Sequence, residues 1–415
     1  MTRDPPRRLM CALCTPVGRD DWETIVVAGA LRHVGIESVI WTLGHLPPAE
    51  PDVLSIGLSP RFSTRDCRAK GAGGRSVDVL AGRAVTQAHL RGALRPGDDQ
   101  VLIYGEPYAL LVRLATGGLA IDGLRGRAVL GPPFDLAAYA TPPGGPLLTS
   151  LGCVKACAYC GFGATYRHLY PGFRRRERPW TMVAAEITES VGRGEGAVAF
   201  IADQFLAVDP NENAQLVRLA ANLNLPGGAR PAATFTVAPR EVLANQLLVA
   251  SLNGILETRP TLSIDSLDDV ALTSYRVEFE AADALRAASY LTELDVPFRL
   301  NYIFARPRMT ADALHREFAN LHALALITRD RPAADQWLLV KDVFTSRLTP
   351  VAGAPLWTDS TGTDADGAGP PELLELVMDG ILGVLAREAH DAGTGAPVAP
   401  FLAAVEAGLD ALHRA

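Results

Sequence analysis

The sequence contains little cysteine, no long apolar run and no excess of positive charge. Six cysteines among 415 residues are few for a disulfide-stabilised secreted protein. No stretch of about 18 or more uninterrupted apolar residues occurs, so no membrane-spanning helix is predicted. The net charge of −7 argues against a general nucleic-acid binder. Because the N-terminus also lacks an apolar core of secretion-signal length, we expect a cytoplasmic protein.

The length and the apolar content predict several globular domains. Hydrophobic residues make up 48% of the chain, which is sufficient for buried cores, and this length is typical of two or three domains. The segment Thr141–Pro146 is rich in proline and glycine and marks a boundary. The composition becomes polar and Gly/Pro-rich after about Gly353. We therefore expect domains at residues 1–140, 146–345 and 346–415.

Three of the cysteines lie close together in the sequence. Cys153, Cys157 and Cys160 form a C-x3-C-x2-C pattern directly after the apolar stretch Leu147–Leu151. Thiolates on one short loop suit a cubic iron–sulfur cluster, and three of them leave one iron open to a small molecule. Zinc bound with a distant histidine such as His168, a redox disulfide, and buried free thiols are the alternatives.

This cysteine loop resembles the signature of the radical S-adenosylmethionine (SAM) superfamily. Tyr159, before the third cysteine, fits that pattern. Phe200–Phe205 is similar to the F-x-D-D-x-F strand end of the cobalamin-type members, with Gln204 replacing the second carboxylate, and Leu262–Ser266 and Tyr302–Pro307 are similar to two later strand ends. The resemblance implies a [4Fe-4S] cluster, SAM, a small-molecule substrate and an electron donor of the flavodoxin or ferredoxin type.

The first domain is predicted to be a doubly wound α/β domain. Short apolar strands alternate with helices, which is typical of a parallel sheet covered on both faces. Such domains bind ligands at the carboxyl ends of their strands. The predicted strands are Arg8–Cys14, Ser38–Trp41, Asp52–Gly57 and Gln100–Tyr104, with helices at Trp22–His33 and Ala84–Leu94.

The same domain resembles a cobalamin-binding domain with a degenerate motif. Ile56–Ser59 is similar to the second ligand loop of that family and Tyr104–Tyr108 to its third. The family motif D-x-H-x-x-G has a histidine that ligates cobalt, but Asp20 stands at that position and Glu23 replaces the glycine. Two alternatives therefore stay open: a domain that binds cobalamin without the histidine, and a scaffold that only shapes the substrate pocket.

The central domain is predicted to be a partial (β/α)6 barrel of the radical SAM type. In such barrels the chemistry lies at the carboxyl ends of the strands, where the cysteine loop is located. Amphipathic helices at Glu372–His390 and Pro400–Arg414 are expected to form a small C-terminal region. The six predicted strands are Leu147–Leu151, Ala197–Ala202, Ala232–Val237, Thr261–Asp265, Phe298–Phe304 and Trp337–Phe344.

The resemblance also implies roles for individual residues. Cys153, Cys157 and Cys160 would bind the cluster, and Asp203, His168 and Asp265 are candidate catalytic residues. His168 could be an acid or base, although a lone histidine is more often structural. The remaining candidates would contact SAM, although each is also explained by ordinary polarity at a strand end. They are Tyr159, Gly161, Phe162, Gly163, Ala202, Asp203, Ser266, Arg306 and Pro307.

Acidic residues surround the fourth predicted strand of the barrel. Glu257, Asp268, Asp269 and Glu278 would favour a cationic substrate such as an amino sugar if two or three of them face the barrel mouth. A solvated acidic surface is the alternative explanation.

These features lead to three functional hypotheses. The first is a radical SAM enzyme of secondary metabolism, such as antibiotic biosynthesis, that catalyses dehydration, epimerisation or rearrangement of an aminoglycoside-like sugar. The second is a cobalamin-dependent radical SAM methyltransferase. The third is an iron–sulfur protein that only relays electrons.

Overall fold

The structure is a computed structural model. It describes residues 10–15, 22–42, 53–57, 69–70, 76–81, 83–90, 92, 94–116, 118–141, 144–160, 162–304, 309–344, 371–394 and 399–414. Within these ranges, no helix is long and apolar enough to cross a bilayer.

The N-terminal part forms a seven-stranded sheet in the order β2-β1-β3-β5-β6-β7, with β4 paired to β5. All pairings are parallel except the one between β4 and β5. The elements are β1 (Met10–Thr15), α1 (Trp22–His33), β2 (Glu37–Thr42), β3 (Val53–Gly57), β4 (Ala69–Lys70), β5 (Ser76–Ala81), α2 (Arg83–Leu90), β6 (Gln100–Gly105), α3 (Tyr108–Ala115) and β7 (Arg127–Gly131).

Helices cover both faces of this sheet. Val101 and Ile103 of β6 pack in one apolar cluster with residues of α1 and α3. The alternate residue, Leu102, packs with Val85 of α2 in another cluster. Because successive side chains of a strand point to opposite faces, α2 covers the face opposite to α1 and α3. The predicted doubly wound domain is confirmed.

Three strands of this sheet were not predicted from the sequence. They are β4, β5 and β7, and β5 pairs with both β3 and β6. The segment Tyr104–Tyr108 at the end of β6 is therefore separated from the end of β3 by the intervening strand β5. Asp20 and Leu58–Ser59 lie outside the described residues, so the predictions made for them stay untested.

The second sheet is built from six strands in the order β13-β12-β11-β10-β8-β9. Five of them are parallel, and the short β9 is antiparallel to β8. Its elements are β8 (Leu147–Leu151), α4 (Phe162–Leu169), β9 (Arg176–Glu177), α5 (Trp180–Gly192), β10 (Ala197–Ala202), α6 (Ala214–Asn222), β11 (Ala232–Val237), α7 (Pro239–Ala244), α8 (Gln246–Ile255), β12 (Glu257–Asp265), α9 (Asp269–Tyr275), α10 (Ala281–Glu293), β13 (Arg299–Tyr302), α11 (Ala311–Thr328) and α12 (Ala333–Phe344).

The sixth strand predicted for the barrel, Trp337–Phe344, is wrong. These residues belong to α12. Its buried residues include Leu339, Val340, Val343 and Phe344, and this spacing places them on one side of a helix. A short apolar run does not distinguish a strand from a buried helix. Within the described ranges, the sheet therefore has five parallel strands and not six.

The C-terminal region is helical, as predicted, and consists of α13 (Pro371–Thr394) and α14 (Pro400–Arg414). Ile381 of α13 and Phe401 of α14 lie in the same apolar cluster as the barrel residue Phe318. A Cβ atom on Gly408 would lie 2.1 Å from the Phe318 ring. These helices therefore share the core of the barrel and pack tightly against α11.

Two tyrosines, one in α4 and one directly after it, contact the N-terminal sheet. The Tyr170 hydroxyl donates to the Gly131 carbonyl at 2.6 Å and accepts from the Glu106 N–H at 2.7 Å. The Tyr166 hydroxyl donates to the Gly105 carbonyl at 2.6 Å. The carboxyl ends of β6 and β7 are thereby joined to the segment that follows the cysteine loop.

Candidate active site

The three cysteines line one cavity at the carboxyl edge of the barrel sheet. Cys153, Cys157 and Cys160 are partly buried, and the cavity has a volume of about 180 Å³. In the described part of the chain, no three His, Cys, Asp or Glu side chains are placed to hold a single metal ion. No disulfide joins the three thiols.

Two glycines shape the cysteine loop. Gly152 has a φ of +100°, a conformation that favours glycine, and its N–H donates to Oδ2 of Asp203 at 2.7 Å. A Cβ atom on Gly163 would lie 2.1 Å from the carbonyl oxygen of Lys155 and 2.4 Å from that of Cys153. Gly163 therefore allows the start of α4 to pack against the backbone of the loop.

The thiols need a compensating cation to ionise. Burial raises the pKa of Cys153 to about 12 and that of Cys157 to about 11. The Lys155 ammonium acts in the opposite direction on both pKa values. Iron binds thiolates and supplies the missing positive charge. Three thiols on one loop facing a cavity thus fit an iron–sulfur cluster, which would promote their deprotonation.

A buried ion pair beside the cysteines was missed by sequence reasoning. Nζ of Lys155 lies 2.5 Å from Oε1 of Glu241. Burial alone would lower the pKa of Lys155, but the Glu241 carboxylate raises it above its usual value. The sequence shows Lys155 between two cysteines, but no motif marks Glu241, which lies on α7. The two residues meet only because β8 and β11 end at the same edge of the sheet.

Asp203 follows β10 and lies on the cavity wall beside Ala202. Its Oδ2 atom accepts the hydrogen bond from Gly152 described above. Asp203 thereby connects the end of one strand to the start of the cysteine loop. The structure brings both of these predicted residues to the cysteines.

Asp265 is the last residue of β12 and the most unusual polar group of the cavity. Its φ is +62°, which is uncommon for a residue other than glycine. The side chain is 3% exposed, Oδ2 accepts from the Tyr159 hydroxyl at 2.9 Å, and Oδ1 is buried without a hydrogen-bond partner. Burial raises the pKa of Asp265 to about 6. A strained, buried carboxyl group with an unsatisfied oxygen is typical of a ligand-binding position.

Three predicted site residues in the described ranges do not line the cavity. Gly163 packs against the backbone of the cysteine loop instead. His168 is exposed on α4. Ser266 is buried, and its hydroxyl donates to Oε2 of Glu317 at 2.8 Å. Gly161, Arg306, Pro307 and the side chain of Phe162 lie outside the described residues.

The four acidic residues near β12 are divided between different surroundings. Glu278 lines the cysteine cavity, and Asp269 lines a neighbouring open cavity of about 940 Å³. Asp268 pairs with Arg316 at 2.8 Å, and Glu257 pairs with an arginine on its own strand. The two cavities share wall residues and are therefore adjacent. The shared residues are Val208, Arg240, Val277, Glu278 and Phe279.

Comparison with known proteins connects this site to a fold. No protein-family model and no curated protein sequence match the chain. Among solved structures, it is similar to the cobalamin-dependent SAM radical enzyme OxsB, solved with aqua-cobalamin and SAM bound, with a TM-score of 0.62 and 10% identity over 92% of this chain and 68% of that one.

A second similar structure is the radical SAM methyltransferase TsrM from Kitasatospora setae, with a TM-score of 0.55 and 15% identity. The match covers 76% of this chain and 71% of that one, and TsrM has also been solved with cobalamin and a [4Fe-4S] cluster bound. The resemblance inferred from the sequence is thus confirmed at the level of the fold. The chain has the fold of cobalamin-dependent radical SAM enzymes.

Proposed function

We propose that the protein is a radical SAM enzyme that binds a [4Fe-4S] cluster through Cys153, Cys157 and Cys160. The proposal is carried by one observation: the three thiols line the same cavity as the strand-end carboxylates Asp203 and Asp265. Similarity to OxsB and TsrM supports it through the fold.

Each part of the cavity has a role in this proposal. The three thiolates hold three corners of the cluster and leave one iron free for SAM. Asp203 and Ala202 lie where the SAM amino group would be positioned, and Asp265 offers its unsatisfied oxygen to a ribose or substrate hydroxyl. When bound, the cluster and SAM together supply a 5′-deoxyadenosyl radical that removes hydrogen from a C–H bond.

Anaerobic reconstitution tests this proposal. We expect about four iron atoms per chain, and release of 5′-deoxyadenosine after reduction with dithionite in the presence of SAM. Cys157→Ala should lose this release because one thiolate of the cluster is removed. A protein that binds one zinc ion would contradict the proposal, and a reducible cluster without any SAM cleavage would favour the electron-relay alternative.

We propose a reaction without methyl transfer: dehydration, epimerisation or rearrangement of a small polar substrate in secondary metabolism. We take the larger cavity as the substrate approach to the cysteines. An aminoglycoside-like amino sugar fits because four carboxylates line this cavity against two arginines, Arg240 and Arg286, and one of the four, Glu278, also lines the cysteine cavity. Carboxylates along an approach attract a cationic substrate. Amino-sugar candidates should increase 5′-deoxyadenosine release, while their N-acetylated forms, which lack the charge, should not.

Cobalamin-dependent methyl transfer is the second candidate. It is favoured by both similar proteins, because OxsB is a cobalamin-dependent SAM radical enzyme and TsrM is a radical SAM methyltransferase. In the N-terminal sheet, Tyr166 and Tyr170 occupy the ends of β6 and β7, which directs any corrin towards the ends of β1, β3 and β5. Anaerobic incubation with hydroxocobalamin separates the candidates, because stoichiometric corrin absorbance would overturn the reaction without methyl transfer.

The cluster also requires an electron donor and a reducing environment. We propose a flavodoxin or ferredoxin as the donor. Three thiols in one loop stay reduced in the cytoplasm, which is the location we propose.

A further inference from the structure

Lysine is rare in this chain, yet one lysine lies inside the cysteine loop. The three lysines are Lys70, Lys155 and Lys341, and the other 36 of the 39 basic residues are arginines. An ammonium group is a compact point charge, whereas a guanidinium group is broad and planar. Lys155 lies between Cys153 and Cys157, lines the cavity, and interacts electrostatically with both thiols.

Glu241 holds this ammonium group in place. Its side chain is 2% exposed. One oxygen contacts Lys155 and also accepts from Nε2 of Gln204 at 3.0 Å. The other oxygen accepts from the Ala238 N–H at 2.8 Å. With three donors, Glu241 is a fixed anion, and the positive end of its pair with Lys155 lies beside the thiols.

The neutral side chain of Gln204 helps to preserve the ion pair between Lys155 and Glu241. It occupies the position at which the similar family pattern has a second carboxylate. A carboxylate there would lie at hydrogen-bond distance from Glu241 and would repel it. The amide instead donates to Glu241 and leaves its ion pair with Lys155 intact.

We propose that the Lys155–Glu241 ion pair sets the reduction potential of the cluster, with both residues acting as positioning residues for its charge. This inference rests on the proposed function, because it requires the cluster. Accepting one electron from the external donor adds one negative charge to a cluster already held by three thiolates. A fixed ammonium group stabilises that added charge, and an unpaired carboxylate opposes it.

The two partners should therefore have opposite effects. Lys155→Met leaves a buried carboxylate near the cluster and should shift the potential to more negative values. Glu241→Gln leaves an unpaired ammonium group and should shift it to more positive values. The double variant should lie close to the wild type, since both charges are absent. A pair that only stabilised the loop would not give shifts of opposite sign.

The test is a potentiometric titration of the reconstituted protein without SAM, followed by optical absorbance and by EPR of the reduced cluster. Gln204→Glu, which adds a carboxylate beside Glu241, should also shift the potential to more negative values. Arg193→Met is the control, because this exposed arginine pairs with Glu189 and Glu195 after α5, at the amino edge of the sheet.

Iron content is measured first for every variant. Absence of a cluster from the wild type would contradict the proposed function. A wild-type cluster with equal potentials in all variants, or with shifts of the same sign for Lys155→Met and Glu241→Gln, would overturn the inference alone. If Lys155→Met fails to take up a cluster, Glu241→Gln and Gln204→Glu must still shift in opposite directions.

Discussion

At the residue scale, Asp265 is buried, has a positive backbone φ, and has a side-chain oxygen without a hydrogen-bond partner. Burial raises its pKa from 3.8 to about 6, so the folded protein holds this proton more tightly than the unfolded chain does. Between these two pKa values the native state therefore binds more protons. Stability supplied by the protonated form is present at low pH and is lost as pH rises through this window.

Asp265→Asn should remove this loss of stability with rising pH, because the asparagine amide does not ionise. We expect the free energy of unfolding of the variant, relative to wild type, to improve by up to about 3 kcal/mol between pH 4 and pH 7, at about 1.4 kcal/mol per pKa unit. Urea denaturation of the cluster-free protein at both pH values measures it. Asp330→Asn, which removes an exposed carboxylate, controls for net charge. A pH-independent difference for Asp265→Asn would contradict the prediction.

At the element scale, local sequence patterns predicted features that depend on neighbouring residues, and they did not predict contacts between distant segments. The apolar run of β8 and the cysteine spacing after it predicted the position of the cysteine loop correctly. The strand β5 was missed because the polar residues Ser76 and Asp78 interrupt its apolar pattern. The helix α12 was predicted as a strand because it contains the short apolar run Trp337–Val340. The pair of Lys155 with Glu241 joins two distant strand ends, so only the fold reveals it. His168 is close to the cysteines in sequence, but its place on the exposed side of α4 separates it from the cavity.

The packing of α4 against the cysteine loop gives a prediction at this scale. Gly163→Ala would place its Cβ against two backbone carbonyl oxygens, which cannot move aside as a flexible side chain can. We expect a loss of about 1–3 kcal/mol of stability and reduced iron content after reconstitution. Gly192→Ala is the matched control, because it lies in α5 with no atom within 4 Å of the new Cβ. Equal effects of the two substitutions would contradict this account.

At the scale of the whole molecule, the segment containing α4 and Tyr170 connects the cysteine loop to the N-terminal sheet. Gly163 packs on the loop at one end of this segment, and the hydroxyl of Tyr170 satisfies the Glu106 N–H and the Gly131 carbonyl near the other. Gly105 has a φ of +82°, and a Cβ there would lie 2.1 Å from this hydroxyl. We therefore expect a shift of the N-terminal sheet to move the cysteine loop as well.

Tyr170→Phe tests this connection because it removes only the hydroxyl group. The Glu106 N–H and the Gly131 carbonyl would lose a buried partner, which should cost about 1–3 kcal/mol in the free energy of unfolding. Tyr290→Phe removes an exposed hydroxyl that donates to the Gln246 carbonyl at 2.7 Å, and its cost should stay below about 1 kcal/mol. Urea denaturation measures both. Tyr170→Phe should also release cluster iron to a chelator faster than Tyr290→Phe does. Equal release rates for the two variants would contradict a coupling of the N-terminal sheet to the cysteine loop.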